Sequence, residues 1–265
     1  MTSQRTVLQR IELARQKART GLLVLIDPDR MKTEEIRLRA KLAETTGVSG
    51  ILVGSSYLAT DRFQSAVKTC KEACDLPVVL FPGSSAQVSS AADAMLFMSL
   101  VSGRNPEFLI GEQVRAAVRV RRAGLETIPT GYLLVESGRM TSVQFMSNTI
   151  PLPSDKSDIA VAHAVAAELL GMRLLYLEAG SGARNPVPPR LVETVRSQTS
   201  VPILVGGGVR TPKTVAGLSA AGADMVVVGT ITESSRDLQP ILEEMVAATK
   251  DKRNLDRVLS GDSGP

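Results

Sequence analysis

Tryptophan is missing from this 265-residue chain, and the other aromatic residues are few, three Tyr and five Phe. A core built from this composition must be aliphatic, and the stacking platforms that nucleic acid favours are scarce. The formal charge of +4 is small for the length. No dense basic stripe makes up for the missing rings, so nucleic acid is not the expected partner. One histidine and two cysteines are too few for a soft-ligand metal cluster. Cys70 and Cys74 stand four apart in a helix-like stretch and read as reduced, packed thiols. No apolar run approaches the ~18 residues of a membrane span. The N-terminal MTSQRTVLQRIELARQKART lacks the apolar core of a secretion signal. A cytoplasmic location is expected.

What the chain does have is alternation. Strand-like runs at 22–27, 50–54, 78–81, 94–98, 131–135, 174–178, 203–205 and 225–229 are separated by helical periodicity at 33–46, 61–73, 106–123, 155–171, 188–199, 212–221 and 236–250. Eight such units predict a parallel sheet closed into a (β/α)8 TIM barrel, an α/β fold. A charged amphipathic helix over 4–19, with Val7, Leu8, Ile11 and Ala14 on one side, precedes the first strand and is expected to cover one end of the barrel. After the third strand, PGSSAQVSSAAD is short and serine-rich, so the third helix is expected to be missing or replaced by a loop. Residues 1–250 form one domain, and 251–265 read as a polar tail.

Barrel chemistry gathers where strands end. VPILVGGGVRTPKTVAGLSAAGADMVVVGT, residues 201–230, places Gly206-Gly207-Gly208 and Gly229-Thr230 at two successive strand ends. Bare backbone N–H groups there can approach an anion such as phosphate. The sixth strand continues into YLEAGSGA, where Tyr176 and Glu178 are two apart and share a face. An acidic group at the barrel mouth is rarely placed for packing, and partial burial would suit it to general-base work. The first strand ends in Asp27-Pro28-Asp29-Arg30, the second in Gly54-Ser55-Ser56. A carboxylate beside a hydroxyl can complete a Mg²⁺ shell, though both stretches are equally well read as turn and cap residues. Glu136, after the fifth strand, is the other carboxylate expected near the mouth. His163 sits in an apolar helical stretch and reads as a packing residue.

Seven motifs in order, LIDPDR, ILVGSS, FPGS, GRNPEFLIGEQ, YLEAGSGA, LVGGGVRTP and VVVGT, resemble the geranylgeranylglyceryl phosphate synthase family of archaeal lipid enzymes, which includes bacterial heptaprenylglyceryl phosphate synthases. The resemblance implies a modified barrel lacking its third helix. It implies transfer of a prenyl group from a prenyl diphosphate to sn-glycerol 1-phosphate, with Mg²⁺ and release of pyrophosphate. By motif, Asp27 and Ser56 correspond to Mg²⁺ ligands. Tyr176, Leu177, Glu178, Ala179, Gly180, Ser181 and Gly182, with Gly207, Gly208, Gly229 and Thr230, correspond to the glycerol-phosphate site. Glu178, with Tyr176 beside it, corresponds to the group that deprotonates the glycerol hydroxyl. Arg30 departs from a common lysine, and Leu25 stands where bacterial relatives carry lysine. YLEAGSGA is similar to archaeal members, which implies the C20 geranylgeranyl donor. An apolar slot for that chain is expected at the barrel side, with Phe108 limiting its depth. A homo-oligomer is expected, with a membrane-surface contact for product release. Two other classes remain compatible with the residues alone: another phosphate-binding barrel enzyme, such as a sugar-phosphate isomerase or cyclase, and a non-catalytic phosphate-ligand sensor. A prenyl-transfer assay separates them.

Overall fold

Strands β1 (Gly21–Ile26), β2 (Gly50–Val53), β3 (Val78–Leu80), β4 (Ala94–Ser99), β5 (Glu126–Leu134), β6 (Leu174–Glu178), β7 (Ile203–Gly206) and β8 (Met225–Val228) pair in chain order, all parallel. Strand β8 returns to β1, so the sheet closes and has no exposed edge. The computed structural model describes residues 6–234 and 237–249. Period-two alternation divides the strand side chains into two populations. Leu22, Val24, Ile26, Leu175 and Leu177 pack outward against helices. Leu23, Leu52, Val79, Leu96, Ile128, Tyr132, Tyr176 and Val227 fill the lumen.

Helix α1 (Val7–Gln16) closes the end of the barrel where strands begin. Thr6 and Gln9 form a capping box, and the N–H groups of Val7 and Leu8 donate to the Glu126 carboxylate at 2.7 and 3.0 Å. Val7, Leu8 and Ile11 then join the lumen cluster, as the sequence pattern requires. Around the sheet run α2 (Thr33–Thr45), α3 (Phe63–Ala73), α4 (Glu112–Ala123), α5 (Ser142–Ser147), α6 (Ser157–Leu169), α7 (Pro189–Gln198), α8 (Pro212–Ala220), α9 (Thr230–Ser234) and α10 (Leu238–Ala248). Thr211 caps α8 by accepting from the Thr214 N–H, with Pro212 in the first turn.

The third βα unit has no helix. Between β3 and β4 the chain runs as coil and turns. Buried Gln87 anchors this segment: its amide accepts from Ser55 N–H at 3.1 Å and donates to Ser55 C=O at 2.7 Å.

Three expectations need correction. Strand β5 starts at Glu126 rather than 131, because Glu126–Gly131 pair with Ala94–Ser99 and Glu126 is occupied in capping α1. The helix expected over 106–123 is two elements, a single π-turn (Glu107–Gly111) leading into α4. The short helices α5 and α9 add to the expected set, since five or six residues carry no readable periodicity. The tail at 251–265, Gln4 and Arg5 of the N-terminal helix, and Ser235, Arg236 and Lys250 lie outside the described residues. Cys70 and Cys74 are free and buried, and burial pushes the Cys70 thiol up to about 12. His163 bonds Ile159 C=O and Arg104 on the outer layer, consistent with packing.

Candidate active site at the barrel mouth

Glu178 is the last residue of β6, paired between Leu134 of β5 and Gly206 of β7. Its parity with Tyr176 puts it on the lumen face, where only 4% of it is exposed. Burial drives its carboxyl up from 4.5 to about 7, with the Gly180 N–H and the neighbouring Tyr176 phenol pulling the other way. At neutral pH the group is therefore poised between its two protonation states. The Gly180 N–H donates to Oε1 at 2.6 Å. Tyr176 is fully buried, and among the described residues its hydroxyl has no partner of hydrogen-bond geometry, although the Glu178 carboxylate is its neighbour. Burial, and then Glu178, keep the Tyr176 and Tyr132 phenols neutral.

The glycines after β7 make room for these groups. A Cβ on Gly206 would lie 2.6 Å from the Tyr176 hydroxyl and 2.9 Å from Glu178 Oε2. Gly207, at φ +80°, would drive a Cβ into Glu178 Oε1 and to 2.6 Å from Gly180 N. Only glycine fits here, and its bare backbone faces the basin.

That basin is an open pocket over the strand ends, lined by Tyr176, Glu178, Ser181, Gly207, Gly208, Gly229 and Thr230 on one side. Asp27, Asp29, Arg30, Ser55, Ser56 and Glu233 line the other. Asp27 accepts from Asp29 N–H and from the Ser55 hydroxyl, both at 3.0 Å. Burial raises its pKa, and the two bonds and Arg30 oppose the rise. The Arg30 Nε lies 3.9 Å from Asp27 Oδ2 and 4.0 Å from Glu233 Oε2. It thereby joins the β1 loop to α9. Asp29 is occupied elsewhere, its carboxylate holding Ala59 N–H and the Thr60 hydroxyl.

A second, narrower pocket opens beside the basin, in the wall left without a helix. Its lining is mostly apolar, with Met95, Leu96, Phe97, Met98, Leu100, Phe108, Ala116, Val143 and Met146. Phe81, Tyr132, Ser55, Ser56 and Val143 line both pockets and so mark the junction. Phe81 stacks on Tyr176 at 5.0 Å, and Tyr132 meets Tyr176 edge-on at 5.5 Å. Three rings from strand ends far apart in sequence thus form one wall.

Most sequence-derived candidates converge here, with exceptions. Leu177 and Ala179 pack outward, so only their backbone is near the site. Gly182 lines a smaller adjoining pocket with Arg30, Arg139 and Thr230. Gly180 contributes its N–H to Glu178. It is Ser55 that touches Asp27, while Ser56 stands at the junction of the pockets. Glu136 is exposed and its N–H bonds Leu152 C=O, so the expectation of a second mouth carboxylate there is wrong. Tyr132 and Glu233 carry no signal in the sequence that marks them for the site, whereas Phe81 and Gln113 fall in the motifs FPGS and GRNPEFLIGEQ without a role that the motifs alone assign.

These features define a (β/α)8-barrel protein whose glycine-lined polar basin holds a buried carboxylate and meets an apolar slot at Phe81 and Tyr132. Such a barrel has close relatives. The model of the PcrB family matches residues 13–249. A geranylgeranylglyceryl phosphate synthase of Chitinophaga pinensis is 46% identical over 225 residues, 85% of this chain and 88% of its own length. One from Korarchaeum cryptofilum is 45% identical over 239 residues, covering 90% and 98%. The crystal structure of (S)-3-O-geranylgeranylglyceryl phosphate synthase from Thermoplasma acidophilum, in complex with its substrate sn-glycerol-1-phosphate, superposes with TM-score 0.89 at 35% identity, covering 93% of this chain and 99% of that one. The chain belongs to the PcrB family.

Proposed function

We propose that this protein is a prenyltransferase that joins the prenyl group of a prenyl diphosphate, geranylgeranyl by preference, to a hydroxyl of sn-glycerol 1-phosphate. The observation that carries this reading is the placement of Glu178, a buried carboxyl at about 7 in the polar basin, two residues from Tyr176, whose ring stacks on the junction residue Phe81 at the entrance to the apolar slot. The glycine turns at Gly207, Gly208 and Gly229, with Ser181, Gly182 and Thr230, hold the acceptor phosphate through backbone N–H and hydroxyl groups. The glycerol hydroxyl then lies against Glu178, with the unpartnered Tyr176 phenol available to it. The slot takes the donor chain and leaves the diphosphate near Asp27, Ser56 and Arg30.

In the reaction the hydroxyl proton moves to Glu178, and the hydroxyl oxygen forms a bond to the allylic carbon. The bond from that carbon to the diphosphate breaks, and its electron pair leaves with pyrophosphate. Glu178 acts as general base, and the phenyl and phenol rings at the junction exclude water from the reacting carbon. An isomerase or cyclase has no use for the apolar slot, and a sensor has none for a base poised near neutrality.

Mg²⁺ is the proposed cofactor. It takes one or two carboxylates and completes its shell with water and phosphate oxygens. Asp27 with an adjacent serine hydroxyl fits that demand, and among the described residues no group of three His, Cys, Asp or Glu forms an all-protein cage. When bound, the ion would neutralise charge on the departing diphosphate. Asp27 and Ser56 are the proposed ligands, with Ser55 orienting the carboxylate.

Met140, Phe145, Met146 and Ile150 are exposed on and beside α5, whose Val143 and Met146 line the slot. They support contact with a membrane surface where product is released. Ile110, Val114 and Val118, exposed on one face at the π-turn and α4, support self-association. No described helix is long and apolar enough to cross a membrane, and free buried thiols suit the cytoplasm. Incubation with sn-glycerol 1-phosphate, Mg²⁺ and C10 to C30 prenyl diphosphates should yield the glyceryl ether, most efficiently from the C20 donor. Absence of product from every donor would overturn the reading.

A further inference from the structure

The slot contains one polar feature that an apolar substrate does not explain. Gln113, in the first turn of α4, lines it. Its side-chain Nε2 donates to two carbonyls: Met98, near the end of β4, and Phe108, in the π-turn, the latter at 3.1 Å. The other amide atom, Oε1, is buried and has no hydrogen-bond partner among the described residues. Turning the amide over would set its oxygen against both carbonyl oxygens, so chemistry fixes this orientation. A bare buried acceptor costs stability that a leucine or methionine at this place would avoid. The amide is therefore kept for its two N–H bonds.

Those bonds hold a particular piece of backbone. The π-turn Glu107–Gly111 is an irregular helical turn of a kind often found at functional sites. It is tied to β4 by Leu100 N–H donating to Phe108 C=O at 3.0 Å and by the Ser99 hydroxyl donating to Leu109 C=O at 2.8 Å. Gln113 is the side chain that spans from β4 to Phe108 itself. Phe108 and Phe97 carry the rings that line the slot away from the junction rings Phe81 and Tyr132, and Phe108 is the one whose backbone Gln113 holds.

We propose that Gln113 is a positioning residue for donor chain length: its amide clamps the π-turn to β4 and so fixes where the Phe108 ring ends the slot. The inference rests on the prenyltransferase reading and deepens it. With the clamp removed, Phe108 is free to shift, the slot lengthens, and longer donors gain relative to the C20 donor. The acceptor half, more than one strand away on β6 to β8, is untouched.

The test is a donor-length profile. Gln113→Met keeps the side chain's length and loses both N–H donors. Expected is a rise of about five- to tenfold in the ratio of kcat/KM for C25 over C20 diphosphate, the worth of one hydrogen bond. The KM for glycerol 1-phosphate stays within about twofold. If Gln113 acts through Phe108, then Phe108→Ala raises the same ratio, and adding Gln113→Met to it changes nothing further. Should Gln113→Met fail to fold, Gln113→Asn, too short to reach both carbonyls, must give the same shift. A uniform fall in rate across all donors, with the ratio unchanged, overturns the inference alone. A wild-type protein inactive with every donor overturns the prenyltransferase reading and this inference with it.

Discussion

Glu178 and Gly180 are joined across a single intervening residue: the Gly180 N–H holds Oε1 of the carboxylate at 2.6 Å. Gly180 has φ +95°, a backbone conformation that lets the turn after β6 curl back on the residue that ends the strand. One carboxylate oxygen is thereby fixed, and Oε2 is left on the side of Tyr176 and Gly206. Fixed geometry and a pKa near 7 in one group are what a general base requires.

Glu178→Gln should lower kcat by ~10²–10⁴-fold, the usual contribution of a general base. Glutamine keeps a hydrogen-bonding head, so acceptor KM should change far less. The kcat/KM of the wild type should fall below about pH 7, where the carboxyl binds its proton, and that limb should vanish in the variant. Strong loss of acceptor affinity with kcat intact would make Glu178 a binding group only.

The same substitution should change stability with a pH dependence of known sign. Glu178's carboxyl has a higher pKa folded, about 7, than its ordinary 4.5, so its contribution falls as pH rises between these values and is at its least above about 7. Below the ordinary pKa both forms are neutral and glutamine gains little. Glu178→Gln should therefore raise Tm more at pH 8 than at pH 4. Equal changes at both pH values would show that the carboxyl is not raised.

Tyr176→Phe removes a buried hydroxyl that, among the described residues, has no partner of hydrogen-bond geometry. Relief of that cost should leave Tm unchanged or raise it, consistent with ~1 kcal/mol or less. If the phenol is kept for the acceptor, the same variant should raise acceptor KM. A fall in Tm with normal kinetics would assign Tyr176 to packing.

Two glycines separate substrate contact from architecture. A Cβ on Gly229 meets nothing nearer than Leu25 at 3.5 Å, whereas one on Gly207 strikes Glu178 and Gly180. Gly229→Ala should keep its Tm and raise the KM for glycerol 1-phosphate alone. Gly207→Ala should lower kcat and Tm together. Equal effects of Gly229→Ala on both substrates would place the acceptor phosphate elsewhere.

Asp27→Asn keeps the shape that accepts from Ser55 but loses the charge. The Mg²⁺ concentration giving half-maximal activity should rise about tenfold or more, measured by titration, with Tm little changed. An unaltered Mg²⁺ dependence would remove Asp27 from the metal site.

The barrel is legible because its strands are short apolar runs, several of them ending at glycine or a carboxylate, and Glu178 follows from parity with Tyr176. Parity stops working where strands stop. Glu136 lies two past the lumen residue Leu134, but β5 has ended, and the chain bridges Val135 to Leu152 and leaves Glu136 exposed. Sequence does not tell which of Ser55 and Ser56 touches Asp27 for the same reason, since both follow β2 in a turn. Phe81, Tyr132 and Tyr176 are dozens of residues apart, and only barrel closure stacks them. Glu233 arrives on a five-residue helix with no period to read. The absent third helix, by contrast, is visible as a serine-rich stretch without an apolar stripe.

The coil between β3 and β4 bears on how a long lipid gets in and out. A closed ring of helices would oblige the chain to thread end-first, and twenty carbons joined to a charged head would have to be pulled back the same way. With one stave missing, the tail can be laid in and lifted out along its length, while the strands that hold the charged end stay where they are. On the prenyltransferase reading, the closed strands then serve as a fixed anvil for the reacting end.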